Sequence, residues 1–175
     1  MVRDQLTAVI VTGRYSTLLA SDLDSHIRNR SLHSHLVTDE IAALEGGRRR
    51  PQTKPEREYF KRNWLKGLWH KHFFQPGYML KNIQRHWTRA RLREAFGKRM
   101  PIGEALYRLV IGGYTARAGA GELTGECIVF AKQDGVNFYL TLANHKEDDE
   151  VVWRRCKACA AELPQLSILQ EERTG

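Results

Sequence analysis

The sequence predicts an α+β fold, in which N-terminal helices precede a small antiparallel sheet of about three strands and a helix closes the C-terminal end. Two observations lead to this prediction. Residues 38–96 carry helix-starting and helix-ending residues around runs with few helix breakers, whereas residues 106–142 are rich in β-branched and aromatic residues and include one strong turn. A length of 175 residues fits a single domain, 1–175, that can bury most of the surface of the unfolded chain.

The sequence predicts little regular structure for the N-terminal segment, residues 1–45. Residues 6–11 form a short β-branched run, for which we expect at most one strand, and residues 22–35 are polar and irregular. Thr38, which is followed by two acids, is a suitable N-cap for one short helix that ends before Gly46-Gly47.

The central region, residues 46–100, is predicted to be helical and basic. Residues 46–54 lack apolar periodicity, which indicates an exposed basic linker. Pro55 suits the first position of a helix over residues 56–72, whose apolar residues fall in two stripes. Two stripes favour a helix packed on two sides, and the alternative is that one aromatic stripe faces a ligand. A second helix, over residues 78–96, has apolar residues on one side and basic residues on the other.

The C-terminal region, residues 101–175, is predicted to hold the sheet. Asp134-Gly135 lies between two β-rich runs, 127–130 and 136–142, and both residue types tolerate the positive φ angles of a hairpin turn. If Gln133 pairs with Val136, the apolar residues at 127, 129 and 131 share a face with those at 138, 140 and 142.

A third strand and the closing helix complete this prediction. Residues 106–117 are expected to add the third strand across a glycine-rich turn. The acids at 148–150 suit the first turn of a helix whose apolar stripe includes Cys156 and Cys159. We therefore interpret these two cysteines as buried core residues rather than as a redox pair or half of a zinc site.

Composition excludes several classes of protein. No apolar run is long enough to cross a membrane, and residues 1–20 lack the basic-then-apolar pattern of a signal peptide. Three cysteines are too few for a secreted disulfide scaffold, so we expect a cytoplasmic protein. The chain has no Walker loop, no dinucleotide-binding glycine fingerprint and no nucleophile elbow, and no cofactor is predicted.

The positive charge is concentrated in the central region. The chain has 28 basic and 20 acidic residues, and residues 46–100 hold sixteen of the former and three of the latter. Nine of the sixteen aromatic residues lie in the same stretch. A basic block repels itself, and a polyphosphate backbone is the commonest partner that relieves such repulsion. The charge distribution therefore predicts a nucleic-acid-binding protein.

Two groups of residues are candidates for that interface. The basic side chains would bind phosphates, and tryptophans could stack on unpaired bases, which slightly favours RNA over DNA. The candidates are Arg48, Arg49, Arg50, Lys81, Arg85, Arg89, Arg93, Trp64 and Trp69. Six phosphate contacts would give a slope of about −4 to −5 for log K against log salt.

An alternative function is metal-independent cleavage of RNA, as in some ribonucleases and toxins. His145 follows the predicted strand 136–142, and Arg117, Tyr139 and Thr141 are expected to lie near it on an open face of the sheet. Such cleavage needs a base for the 2′-hydroxyl proton, an acid for the leaving oxygen and a cation for the phosphorane charge. A histidine titrates near neutral pH and could supply the proton transfer.

Other partners remain open at this point. The basic block could instead meet an acidic protein, in which case the chain would be an adaptor. His70 and His72 would share a side only on a strand, and the predicted helix argues against a metal site there. No metal is therefore predicted, and the sequence does not give the oligomeric state.

Overall fold

A computed structural model describes residues 2–47, 53–59, 63–74, 76–96, 100–120, 122–123, 125–144 and 146–173. In these residues the chain forms an α+β structure around a mixed sheet, so the predicted fold class is confirmed. The sheet itself is larger than predicted, because it contains more than three strands and one parallel pair.

The strands of the described residues are β1 (Arg14–Tyr15), β2 (Arg57–Glu58), β3 (Trp69–His72), β4 (Cys127–Gln133) and β5 (Val136–Ala143). Their order in the sheet is β1-β5-β4-β3-β2. β1 runs parallel to β5, and every other neighbouring pair is antiparallel. The outer strands have two residues each, too few for a period-two pattern to reveal them in the sequence.

The helices are α1 (Val2–Val9), α2 (Thr17–Arg28), α3 (Ser34–Leu44), α4 (Met79–His86), α5 (Arg89–Phe96), α6 (Ile102–Tyr107), α7 (Gly113–Gly119) and α8 (Asp149–Ala158). A π-helical segment, Arg108–Gly112, joins α6 to α7. Within the described residues, no helix has both the length and the apolar character that a membrane crossing needs.

The N-terminal segment is more helical than the sequence indicated. α1 replaces the expected strand, α2 occupies much of the stretch that looked irregular, and α3 begins before Thr38. Ser16 caps α2 by accepting a hydrogen bond from the Leu19 amide at 3.0 Å. Leu6, Leu19 and Ile41 are fully buried in one cluster, and tertiary burial of this kind stabilises helices whose local signals are weak.

The predicted helix over residues 56–72 is wrong. The described part of this stretch contains β2 and β3, and β3 pairs with β4 so that Trp69 lies opposite Phe130. Gly67 precedes β3 with a φ of 83°, a left-handed conformation that ends any helix and favours glycine. The helical spacing of the aromatic residues therefore did not reflect a helix.

The predicted hairpin is confirmed. Asp134 and Gly135 both have positive φ, and Gln133 pairs with Val136 as expected. An irregularity between Val129 and Phe130 shifts the register further along, so that Val129 faces Thr141. Leu142 consequently lies on the opposite face from the one predicted.

The region after β3 differs from the prediction in two ways. The single helix expected over residues 78–96 is divided into α4 and α5 at Trp87, which has an extended ψ of 90°. The strand expected over residues 106–117 is helical, because it forms part of α6, the π-helical segment and α7. Its β-branched residues are largely exposed rather than packed on a pleated surface, which removes the usual reason for their preference for strands.

Both faces of the sheet are covered. α8 and the residues that follow it pack on one face, and α1, α2 and α3 pack on the other. The closing helix is confirmed, since Asp148 caps α8 by accepting a hydrogen bond from the Glu150 amide at 2.8 Å. Cys156 and Cys159 are buried in the first of these cores, as predicted.

Candidate nucleic-acid interface

The clearest charged surface of the described residues lies on α4 and α5, and is called the basic face below. Its five cationic side chains are all exposed, and α5 adds the single acid Glu94. The basic face consists of Lys81, Arg85, Arg89, Arg91 and Arg93. Four of these residues were predicted from the sequence, and Arg91 is added because its exposed side chain lies on the same short helix as Arg89 and Arg93.

The break between the two helices is held by specific contacts. Thr88 caps α5, since its hydroxyl accepts a hydrogen bond from the Arg91 amide at 3.2 Å. The Trp87 indole donates a hydrogen bond of 2.7 Å to the Leu109 carbonyl oxygen. α4 also packs along α7, where Gly113 lies directly against the Trp87 ring. The basic face is thus fixed to the rest of the fold through Trp87.

A second group of cations gathers where α4 meets α7, and is called the junction below. The segment 53–54 runs beside residues 122–123, and the Lys54 amide donates to the Leu123 carbonyl at 3.3 Å. Glu122, next to Leu123, forms an ion pair of 3.1 Å with Arg117 of α7. This arrangement brings Lys54 and Arg117 to the same place, although they are far apart in the sequence.

The electrostatics of Lys54 reflect this crowding. Partial burial lowers the pKa of Lys54, and the positive charges of Arg85, Arg117 and Arg57 lower that pKa further. The negative charge of Glu122 raises the pKa of Lys54, and its effect is smaller than that of burial or of the three arginines. Burial and the neighbouring positive charges together therefore disfavour the charged form of Lys54.

His86 lies at the end of α4, close to the same charges. Partial burial lowers the pKa of its imidazole, and Arg91 and Arg117 add to this effect. The Arg91 guanidinium also donates a hydrogen bond of 2.9 Å to the His86 carbonyl oxygen. The sequence analysis did not single out Lys54 or His86, because Arg117, which acts on both residues, is distant from them in the sequence and approaches them only in the fold.

The two tryptophans predicted to stack on bases are partly buried and pack against the cores. Trp64 packs against the cluster under α8, and its carbonyl oxygen accepts a hydrogen bond from Arg173 at 2.7 Å. Trp69 packs against the other cluster, and the Lys132 ammonium lies 4.0 Å from its ring centroid. Both side chains are half-buried in β3 or the turn before it, whereas the basic face lies on α4 and α5.

The group predicted for RNA cleavage does not form on an open face. Tyr139 and Thr141 are fully buried, because the helices α1, α2 and α3 cover the sheet face that the sequence analysis left open. The Tyr139 hydroxyl donates to Glu45 at 2.6 Å, and the Thr141 hydroxyl donates to Asp22 at 2.6 Å. Arg117 lies on α7 rather than on a neighbouring strand. His145 and the arginines Arg48, Arg49 and Arg50 lie outside the described residues.

The structure also shows two histidines side by side on β3. Their rings are 5.4 Å apart, and the His72 ring nitrogen lies 3.4 Å from the Cys127 sulfur in a buried contact. His70 stacks on Tyr59 with a centroid distance of 4.3 Å. In the part of the chain that the structure describes, no three His, Cys, Asp or Glu side chains converge as a metal site would require.

A set of exposed apolar side chains precedes α7 along the chain, and is called the apolar ridge below. α6 and the π-helical segment contribute no buried residue, and five of their large apolar side chains are 38% to 81% exposed. The apolar ridge consists of Ile102, Leu106, Tyr107, Val110 and Ile111. Several large apolar side chains exposed on one helical stretch are typical of an interaction surface.

Comparisons with known proteins give no relative from which a function could be transferred. No model of a protein family matches the chain, and no curated protein and no solved structure matches it either. The function must therefore be argued from the basic face, the junction and the apolar ridge.

Proposed function

We propose that the protein binds nucleic acid, with RNA slightly preferred, through phosphate contacts made by the basic face. The observation that carries this proposal is the set of five exposed cations on α4 and α5, with one acid among them. Exposed Lys and Arg side chains on consecutive helical turns can each reach a phosphate, since phosphates recur at short intervals along a strand. The cations of the junction extend this surface toward α7.

The preference for RNA over DNA depends on a different observation from phosphate binding. It was based on stacking by Trp64 and Trp69, and both side chains are partly buried against the cores. Competition between single-stranded RNA and DNA of one sequence decides this point, and equal affinities would contradict the preference while leaving phosphate binding intact.

The basic face is tested by removing two of its charges. Arg85→Ala together with Arg89→Ala should weaken the binding of a single-stranded RNA by about tenfold or more at low salt, because two phosphate contacts are lost. The change should be similar for RNAs of different sequence, since phosphate contacts carry no sequence information. Fluorescence anisotropy with two labelled oligonucleotides measures both effects.

A matched control removes the same charge elsewhere. Arg28 on α2 and Lys66 in the turn before β3 are exposed, and neither belongs to the basic face. Arg28→Ala together with Lys66→Ala should leave the affinity for RNA within about twofold of the wild type, because the overall charge changes equally but the phosphate contacts remain. Equal losses in the two double variants would show that net charge, rather than the basic face, determines binding.

Cleavage of RNA is examined in the same preparation. A ribonuclease that needs no metal would fragment a mixed-length RNA in the presence of EDTA, and denaturing electrophoresis would show the fragments. A shift of intact RNA under native conditions would indicate binding alone. His145→Ala would separate these activities, since it should abolish cleavage and leave affinity unchanged if His145 transfers the proton.

A second candidate function is suggested by the apolar ridge. An acidic protein with an apolar patch could cover the ridge and at the same time neutralise part of the basic face. Leu106→Ser together with Val110→Ser should then abolish co-purification of such a partner while leaving the affinity for RNA intact, because this change adds no charge. Retention of the partner by this double variant would contradict docking on the ridge.

A further inference from the structure

The junction contains a buried arginine, Arg117, with one side-chain N–H group that donates to no described residue. Arg117 is 8% exposed, and its two terminal nitrogens donate to the side chain and the backbone carbonyl of Glu122. Its Nε atom is buried and makes no hydrogen bond with any described residue. A buried donor left unsatisfied is costly, so an acceptor supplied by a ligand would stabilise this arrangement.

Lys54 lies beside Arg117 and is available to the same ligand. Its backbone is fixed by the hydrogen bond to Leu123 and by the Lys71 ammonium, which donates to the Lys54 carbonyl at 2.7 Å. The side-chain ammonium makes no hydrogen bond or ion pair with a residue that the structure describes. The backbone of Lys54 is thus held in place while its charge is left for a partner.

Arg85 brings a third charge to the junction from α4. Its charge lowers the pKa of Lys54 more than the charge of Arg117 or Arg57 does. The helix that carries Arg85, α4, packs along α7, which carries Arg117. Glu122 is an acidic side chain whose charge raises the pKa of Lys54. The three cations therefore come from three separate segments of the chain.

We propose that Lys54, Arg85 and Arg117 form an anion site that takes a phosphate monoester, such as the phosphorylated end of an RNA strand. A phosphodiester within a strand carries one negative charge, whereas a phosphate monoester carries about 1.5 to 2 at neutral pH and offers three acceptor oxygens. Three converging cations match the monoester better. The identity of the ligand as an RNA end rests on the proposed function, whereas the affinity for a phosphate monoester does not.

The first experiment compares RNA ends. A short single-stranded RNA with a 5′-phosphate, a 3′-phosphate or two hydroxyl ends is titrated against the wild type, Lys54→Gln and Lys66→Gln. The wild type should bind one of the phosphorylated RNAs about tenfold tighter than the hydroxyl RNA, the difference expected for one charge-assisted contact. Lys54→Gln should erase this ratio and Lys66→Gln should keep it, while circular dichroism verifies that each variant is folded.

Two results overturn the site. Equal affinities of the wild type for phosphorylated and hydroxyl RNA would contradict it, and so would a Lys54→Gln variant that keeps the full ratio. In both cases the proposed function would stand, because RNA is still bound.

The second experiment separates the site from the proposed function. If no RNA binds to the wild type, the proposed function fails, and the site is judged by calorimetric titration with inorganic phosphate. Binding of phosphate that is lost in Lys54→Gln and retained in Lys66→Gln supports the site without RNA. Absence of phosphate binding, or binding that Lys54→Gln does not weaken, overturns it.

Discussion

At the scale of single residues, Glu45 shows how one carboxylate can organise a loop. Its oxygens accept hydrogen bonds from the amides of Val11, Thr12 and Gly13 at 2.8–3.1 Å and from the Tyr139 hydroxyl at 2.6 Å. Partial burial alone would raise the pKa of Glu45, but these hydrogen bonds outweigh that effect and lower the pKa to about 2. Burial, together with the same contact, raises the pKa of Tyr139.

We predict that Glu45→Gln lowers the free energy of unfolding at pH 7 by about 2 kcal/mol, since hydrogen bonds to a charged acceptor are weakened together. Because the pKa of Glu45 is lower in the folded state, its contribution is complete above its ordinary pKa and is lost as the pH falls toward about 2. Urea denaturation between pH 7 and pH 2.5 should therefore show the wild type and the variant converging. The exposed Asp24→Asn serves as the control, and a difference that stays constant with pH would contradict the assignment.

At the scale of elements, the contact of α4 with α7 positions the proposed interface. The Trp87 indole bridges to Leu109, and the absence of a side chain at Gly113 lets the ring approach the helix backbone. A Cβ atom at Gly113 would lie 2.5 Å from the Trp87 Nε1 atom, closer than such atoms can come. The packing of two helices, and with it the place of Arg85 and Arg117, therefore depends on one glycine.

We predict that Gly113→Ala lowers the free energy of unfolding by about 1–3 kcal/mol, the usual cost of overpacking. It should also weaken binding of RNA, because Trp87 must move and α4 moves with it. Gly103→Ala on α6 is the control, since a Cβ atom there meets nothing within 4 Å and alanine favours a helix by about 0.5–1 kcal/mol. Urea titration measures both variants, and equal stability of the two would show that the Trp87 contact is not tight.

At the scale of the whole molecule, charge is distributed unevenly along the chain and in the fold. The formal net charge is +8, and residues 46–100 carry more than the whole excess. Several acids of the remaining chain form surface ion pairs, as in Glu150 with Arg154 and Glu147 with Arg155. The basic residues of α4 and α5 are left exposed, and their mutual repulsion opposes folding at low salt.

We predict that the melting temperature rises by about 2–4 °C between 10 mM and 150 mM sodium chloride, because about 1 kcal/mol of repulsion is screened. Arg85→Ala together with Arg89→Ala should reduce this rise. Differential scanning fluorimetry measures it, and a melting temperature that falls with salt in the wild type would contradict net repulsion.

Sequence patterns revealed the features that depend on neighbours in the chain. The hairpin at Asp134-Gly135 and the cap at Asp148 were predicted because a turn and a helix start are determined locally. The basic face was also predicted, since four of its residues recur every four positions. Turn and capping residues thus helped to predict the fold class, and the spacing of basic residues predicted the proposed interface.

Features that depend on distant partners escaped the sequence analysis. β3 was mistaken for part of a helix because few helix breakers follow Pro55, whereas Lys71 in this strand is buried and paired with Glu40 of α3 at 3.3 Å. The open face expected around Tyr139 and Thr141 is covered by N-terminal helices whose local signals are weak. The junction was missed because Lys54, Arg85 and Arg117 come from three separate segments.

The measurement that tests the central claim most directly is the salt dependence of RNA affinity for the wild type and for Arg85→Ala with Arg89→Ala. Five contacts from the basic face predict a slope of about −3.5 for log K against log salt with a single strand, and loss of two contacts predicts about −2. The control variant Arg28→Ala with Lys66→Ala should keep the wild-type slope. A wild-type slope near zero, or a slope that the basic-face variant leaves unchanged, would contradict phosphate binding by α4 and α5.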